Sequence, residues 1–229
     1  MDNYLKKKVD QYDKWMGKGG IRYASRVVPV AESLEAREWV MPGEQALEIL
    51  SQADTVAVQD CECRSRYQRC DHPREVCFLL NQSAQYFMKK SNAREVDLDQ
   101  AREILKIANQ AGLVHLTLYK PDQEIFALCS CCSCCCHDFQ IIREMGKNRI
   151  MARSDFRAET RALDCTACGA CLDRCPFQAR RITSAGELET ETSACLGCGL
   201  CVSACPEEAI AMVRTHDDPP RIPDFTLAG

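Results

Sequence analysis

The chain has 229 residues, enough for one or two domains, and carries a net charge of −4 with no basic stripe interleaved with aromatics, which excludes the footprint of a nucleic-acid binder. No apolar run nears the roughly eighteen residues that cross a bilayer, so no transmembrane segment is expected. The 46% apolar content includes eighteen cysteines, so the oily core is smaller than it looks and bound metal is expected to supply part of the cohesion.

Met1 to Lys8 offers no apolar leader-like stretch, which points to a cytoplasmic protein whose thiols stay reduced. Leu5, Val9, Tyr12 and Met16 form one face beside Lys6, Lys7 and Lys8, and we expect a helix docked on its own domain in preference to one lying on a membrane. Gly17-Lys18-Gly19-Gly20 lacks the strand-loop-helix setting of a phosphate cradle and reads as a hinge. Pro42 to Ala53 predicts a helix with Ala46, Leu47, Ile49 and Leu50 as its buried stripe, and Thr55 to Val58 a strand. That strand would run straight into Cys61 and Cys63, where alternation would set both thiols on one face, ready to grip a metal. Arg64, Arg66 and Arg69 crowd the stretch from Cys61 to Cys70, as a solvated basic loop or as the counter-charge of a thiolate-bound centre.

Asp97 to Gln100 reads as a capping box that opens a helix lined by Ile104, Leu105, Ala108 and Ala111 and stopped by Gly112. Strands are expected over Leu113 to Tyr119 and Glu124 to Leu128, joined by a turn at Lys120 to Gln123, so that the sheet delivers the chain to Cys129. Cys129, Cys131, Cys132, Cys134, Cys135 and Cys136 then occupy six of eight positions, followed by His137, and no packing argument asks for that many thiols. A helix beginning near Ser133 would put Cys132 with Cys136, or Cys131 with Cys135, on one face. Adjacent cysteines cannot all face one way, so this segment is expected to serve two directions or two metal centres. Together with Cys61, Cys63, Cys70 and Cys77 these make ten metal-ligand candidates ahead of residue 150. Ten thiols suit one or two additional iron-sulfur clusters, or one cluster plus a reactive dithiol, with zinc less favoured. His137 reads as a hydrogen-bonding neighbour more than as a ligand, and His72 and His115 carry less signal.

The C-terminal third repeats one pattern thirty residues apart. Cys165, Cys168, Cys171 and Cys175 with Pro176 recur as Cys195, Cys198, Cys201 and Cys205 with Pro206, and Gly169 recurs as Gly199 and Ala179 as Ala209. Eight matched cysteines leave little room for a zinc knuckle or a redox dithiol. From about Ser154 to Thr215 the chain resembles the bacterial two-cluster ferredoxins. That resemblance implies two short strand pairs and two short helices around two 4Fe-4S clusters, one-electron transfer, and no insertion in the loop from Ile182 to Thr192. It also implies that the last cysteine of each run crosses over, with Cys165, Cys168, Cys171 and Cys205 on one cluster and Cys195, Cys198, Cys201 and Cys175 on the other. The whole chain, through Cys61-Glu62-Cys63-Arg64, Glu75-Val76-Cys77 and the run from Cys129 to Cys136, is similar to ferredoxin-named iron-sulfur proteins of anaerobes with a Cys-rich front domain.

The expectation is an α+β protein with a Cys-rich metal-binding domain over residues 1–150, a two-cluster domain over 151–215 and an extended tail over 216–229. Its expected role is electron relay between the two 4Fe-4S clusters and a further thiolate-bound centre in the front domain, serving redox partner proteins. The alternatives are an iron-sulfur oxidoreductase with its active site at the N-terminal cysteines, or a redox or metal sensor.

Overall fold

The computed structural model describes residues 2–31, 45–146 and 150–215. Helix α1 (Asn3–Gly17) starts where the Asp2 carboxylate accepts the Leu5 amide at 2.8 Å, and it buries Leu5, Val9 and Tyr12 against the protein. The glycines after it form no hinge: the Gly20 amide bonds the Trp15 carbonyl and the Gly20 carbonyl accepts from Asp122, which pins the segment as a helix-ending turn. Strand β1 (Ser25–Val28) follows. Helix α2 (Gln45–Ser51) buries the expected Ala46, Leu47, Ile49 and Leu50, while Pro42 to Glu44 lie outside the described residues.

Next come β2 (Val56–Asp60), α3 (Glu62–Tyr67), β3 (Glu75–Leu80), α4 (Asn81–Lys90), β4 (Arg94–Glu95) and α5 (Leu98–Gln110). The capping box of α5 is complete, with Asp97 accepting from the Gln100 amide and the Gln100 side chain from the Asp97 amide. Strands β5 (Val114–Lys120) and β6 (Glu124–Cys131) pair antiparallel across a short 3-10 turn, then α6 (His137–Met145) and β7 (Met151–Ala152) complete the front portion.

The seven strands form one sheet in the order β4-β2-β3-β6-β5-β1-β7, antiparallel throughout except for the β1–β7 pair. Alternation divides its residues between two faces. Ala57, Leu79 and Ala127 pack under Ala84 of α4. Val58, Phe78, Leu80 and Leu128 belong to the large core that also takes Ile104, Leu105 and Ala108 of α5. The sheet thus extends into residues 151–152, beside β1.

The C-terminal portion contains β8 (Phe156–Thr160), α7 (Ala170–Asp173), β9 (Arg180–Ile182), β10 (Leu188–Thr190), α8 (Leu200–Ser203) and β11 (Ile210–Arg214). Its strands pair as β9 with β10 and β8 with β11, and α7 and α8 each follow a glycine of positive φ, Gly169 at 84° and Gly199 at 79°. The repeat in sequence is therefore a repeat in structure. The architecture is α+β with a C-terminal ferredoxin-type unit, as expected; residues 216–229 lie outside the described residues.

The two portions are joined by packing and by charge-assisted bonds. Phe177 stacks on Phe139 of α6 with ring centroids 5.3 Å apart, and the Val30 amide donates to the Cys198 carbonyl at 2.9 Å. The Arg174 guanidinium donates to the carbonyls of Asn109 and Gln110 at 2.6 and 3.1 Å, where α5 ends and unpaired carbonyls favour a cation. Arg174→Ala is expected to cost about 1.5 kcal/mol, read as a lower urea midpoint for the whole chain, with Arg174→Lys recovering part of the loss.

Candidate metal centres

The ten front-domain cysteines sort into two groups. Cys70, in the loop after α3, joins Cys132, Cys134 and Cys135 of the turn between β6 and α6, and all four sulfurs lie within 4.8 Å of one another. Cys70 Sγ is 3.8 Å from Cys132 Sγ and 3.9 Å from Cys135 Sγ, and Cys134 Sγ is 3.8 Å from Cys135 Sγ. Burial would raise the Cys70 thiol, but the His72 amide and the neighbouring thiols outweigh it and hold it below its ordinary value.

The other six, Cys61, Cys63, Cys77, Cys129, Cys131 and Cys136, line one cavity of about 310 Å³ on the sheet face that also carries Leu79 and Ala127. Cys77 and Cys129 are cross-strand partners on β3 and β6, and alternation sets Cys131 on the same face as Cys129. Cys61 is not on a strand face as expected. It is the residue before α3, with Cys63 in that helix's first turn, because the chain turns from β2 into a helix at Asp60. Helix α6 likewise begins at His137 and not near Ser133, so the expected helical pairing of Cys132 with Cys136 and of Cys131 with Cys135 does not form. A turn at residues 133–135 instead directs Cys132, Cys134 and Cys135 to one group and Cys136 to the other.

The six thiols interact as a closed ring in the order 61, 63, 136, 131, 129, 77. Interaction with the neighbouring thiols draws Cys61, Cys129 and Cys136 below the ordinary thiol range. The neighbouring thiols, with burial, push Cys63, Cys77 and Cys131 up. Buried negative charges this close repel, so not all six can ionise at once without a cation.

Between the groups lies Arg64, 1% exposed. It donates twice to the Ser130 carbonyl at 3.0 Å and lies 3.7 Å from Cys132 Sγ. Burial opposes its charge, but Cys61, Cys132, Cys77 and Cys131 hold it protonated. Of the three arginines Arg64 alone is buried: Arg66 covers the Tyr4 ring, and Arg69 donates to the Cys134 carbonyl and to Gln140 from the surface. His137 lies with Nδ1 3.1 Å from Cys63 Sγ and Nε2 2.8 Å from the Tyr12 hydroxyl, which donates to Asp138. His115 is buried against Ser130 and pushed down to about 4 by burial, a neutral core side chain, and His72 sits half-buried beside Cys70.

In the C-terminal unit Cys165, Cys168, Cys171 and Cys205 line one small pocket. Cys198 and Cys201 interact with Cys175 and Cys195, and Cys201 also with Cys171. Burial raises Cys198, and Cys201 to about 11, so an electropositive group is needed to hold them as thiolates. The donor set fits an iron-sulfur cluster: the Ala179 and Ala209 amides point at Cys175 Sγ and Cys205 Sγ at 3.4 and 3.3 Å, the N–H···S contacts that stabilise cluster-bound sulfur. None of the eighteen cysteines forms a disulfide. Residues missed by the sequence reading include Tyr4, Tyr12 and Trp15, which line the six-thiol cavity; only their helical periodicity was visible, and periodicity does not say what a helix covers.

Residues 164–210 match the family model of the 4Fe-4S dicluster domain, so the chain carries a C-terminal ferredoxin-like iron-sulfur unit. No curated protein matches the chain.

Two expectations follow. Arg64→Met, which leaves buried thiolates without their cation, is expected to destabilise the front domain by about 3–5 kcal/mol and to lower the metal bound there, measured by elemental analysis. Gly197 has φ of 72°, and a β-carbon on it would run into the Phe156 carbonyl. Gly197→Ala is therefore expected to cost about 2 kcal/mol or more and to bleach the visible absorption of the C-terminal unit, whereas Gly186→Ala, with similar φ but open space, is expected to cost about 1 kcal/mol.

Proposed function

We propose that the protein is an iron-sulfur electron carrier, in which two 4Fe-4S clusters held by the C-terminal cysteines exchange electrons with a thiolate-bound centre in the front domain. The carrying observation is that Cys198 belongs to the same buried core as Cys132 and Cys135 of the front domain. When bound, the clusters supply one-electron transfer at potentials set by burial and by hydrogen bonds to sulfur. Cys165, Cys168, Cys171 and Cys205 would hold the outer one, where the exposed Cys168 offers a route to a redox partner protein. Cys175, Cys195, Cys198 and Cys201 would hold the inner one, where Phe177 and Val30 fix its distance from the front domain.

A second reading has one specific observation in its favour. The 310 Å³ cavity beside the six thiols is large enough for a small substrate, which suits an iron-sulfur oxidoreductase fed with electrons by the C-terminal unit.

Protein prepared without oxygen is expected to carry about eight iron and eight sulfide in its C-terminal unit. Cys168→Ser is expected to disturb only the outer set, and to slow reduction of the front-domain centre by an external low-potential donor at least tenfold. Colourless, iron-free wild type would overturn the proposal, as would front-domain reduction at the wild-type rate in Cys168→Ser.

A further inference from the structure

We propose that the two thiol groups of the front domain are unequal metal sites: Cys70, Cys132, Cys134 and Cys135 hold a single tetrahedral ion, and Cys61, Cys63, Cys77, Cys129, Cys131 and Cys136 hold a separate polynuclear iron-sulfur centre with inorganic sulfide. This deepens the reading of the front domain as carrying a thiolate-bound centre and rests on it.

Size separates the two. Four sulfurs at the ordinary metal–sulfur bond of about 2.3 Å sit about 3.8 Å apart at the corners of a tetrahedron. In the first group three of the six separations are 3.8, 3.9 and 3.8 Å, and all lie within 4.8 Å. That spacing suits one zinc or one iron and is too tight for a cube, whose thiolates bind different corners. Among the described residues no other group of three or more histidine, cysteine or carboxylate ligand atoms lies mutually within 4.8 Å. The six-thiol ring is therefore too wide for one ion, although each sulfur has two sulfur neighbours. Sulfurs arranged around a space, each reaching a different metal atom, are what a bridged multi-iron core requires.

Space and charge agree. The ring opens on a cavity of about 310 Å³, the volume of about ten waters. Arg64 supplies one buried positive charge near Cys61, Cys77 and Cys131, and its Nε–H has no acceptor among the described residues. Inorganic sulfide is an acceptor that would satisfy it. A core with only four terminal positions would strand two buried thiols, so the ring is matched to a larger core or to one in which two cysteines bridge.

Iron, acid-labile sulfide and zinc per chain, measured on the anaerobically prepared full chain, test the assignment. Cys70→Ser/Cys134→Ser is expected to lose one zinc or iron and no sulfide. Cys61→Ser/Cys129→Ser is expected to lose at least two iron with matching sulfide, while the C-terminal unit keeps its about eight iron. Full retention of iron and sulfide in the second variant overturns the proposal, and so does loss of two or more sulfide in the first. If the second variant misfolds and loses the C-terminal iron too, Cys129→Ser alone, at a half-buried position, is read the same way. Wild type with fewer than two iron and two sulfide beyond the C-terminal complement also overturns it. A C-terminal unit without clusters would instead show as iron insensitive to Cys168→Ser, an outcome that defeats the carrier reading and leaves the ring measurement intact.

Discussion

The front domain answers to one constraint, the crowding of ten thiols that repel one another wherever they ionise. The fold meets it by division and by one cation. Strand β6 sends Cys129 and Cys131 to one face of the sheet, and the turn that follows sends Cys132, Cys134 and Cys135 elsewhere. Arg64 reaches both sets from α3, held in place by two bonds to the Ser130 carbonyl, the residue between Cys129 and Cys131. A guanidinium serves here because its rigid fork bonds a carbonyl while its charge stays spread over several sulfurs. One arginine cannot balance ten cysteines if all of them ionise, and the cluster of thiols is consistent with further metal sites.

Helix α6 couples that arrangement to the C-terminal unit. Its first residue follows the cysteine run, with His137 against Cys63, and two residues later Phe139 stacks on Phe177, itself two residues after Cys175. Any shift of α6 would move the six-thiol ring and the inner cysteines of the C-terminal unit together. The Val30 bond to the Cys198 carbonyl and the Arg174 cap on α5 fix the same junction from two further elements. Hydrophobic packing around cysteines at this seam means that cohesion of the junction and retention of metal are one problem.

How much of this was legible in the sequence depended on how local each signal was. The capping box at Asp97, the stop at Gly112 and the paired strands around Lys120 to Gln123 are decided within a few residues, and they form as read. The doubled cysteine pattern revealed the C-terminal unit for the same reason: its ligands are consecutive along the chain. Cys61 and Cys63 were read as strand neighbours because nothing local announces that α3 begins at Glu62. The start of α6 was placed too early, since Phe139 and Ile142 give the period of a helix but not its first residue. Strands β1 and β3 and helix α4 were not anticipated, their pairing and packing being decided by distant neighbours in the sheet. Above all, the split of ten thiols into four and six is a long-range fact: Cys70 meets Cys132, and Cys77 meets Cys129, only after the sheet has closed.

The histidine beside the cysteine run shows how such a split can be stabilised without another ligand. Both ring nitrogens of His137 are engaged, Nδ1 with Cys63 and Nε2 with the Tyr12 hydroxyl and Asp138. Coordinating a metal would forfeit one of these contacts in a buried site, where an orphaned polar group costs about 1–3 kcal/mol. Burial opposes charge on the imidazole, but Asp138 outweighs it and keeps His137 above its ordinary value, which favours donation toward the Cys63 sulfur. Tyr12 belongs to α1, so the same network ties the helix that walls the cavity to the ring beneath it. The first amphipathic segment of the chain is thus a wall of the six-thiol site: Lys6 and Lys7 face outward, while Lys8 lies over the Tyr4 ring and lines the cavity.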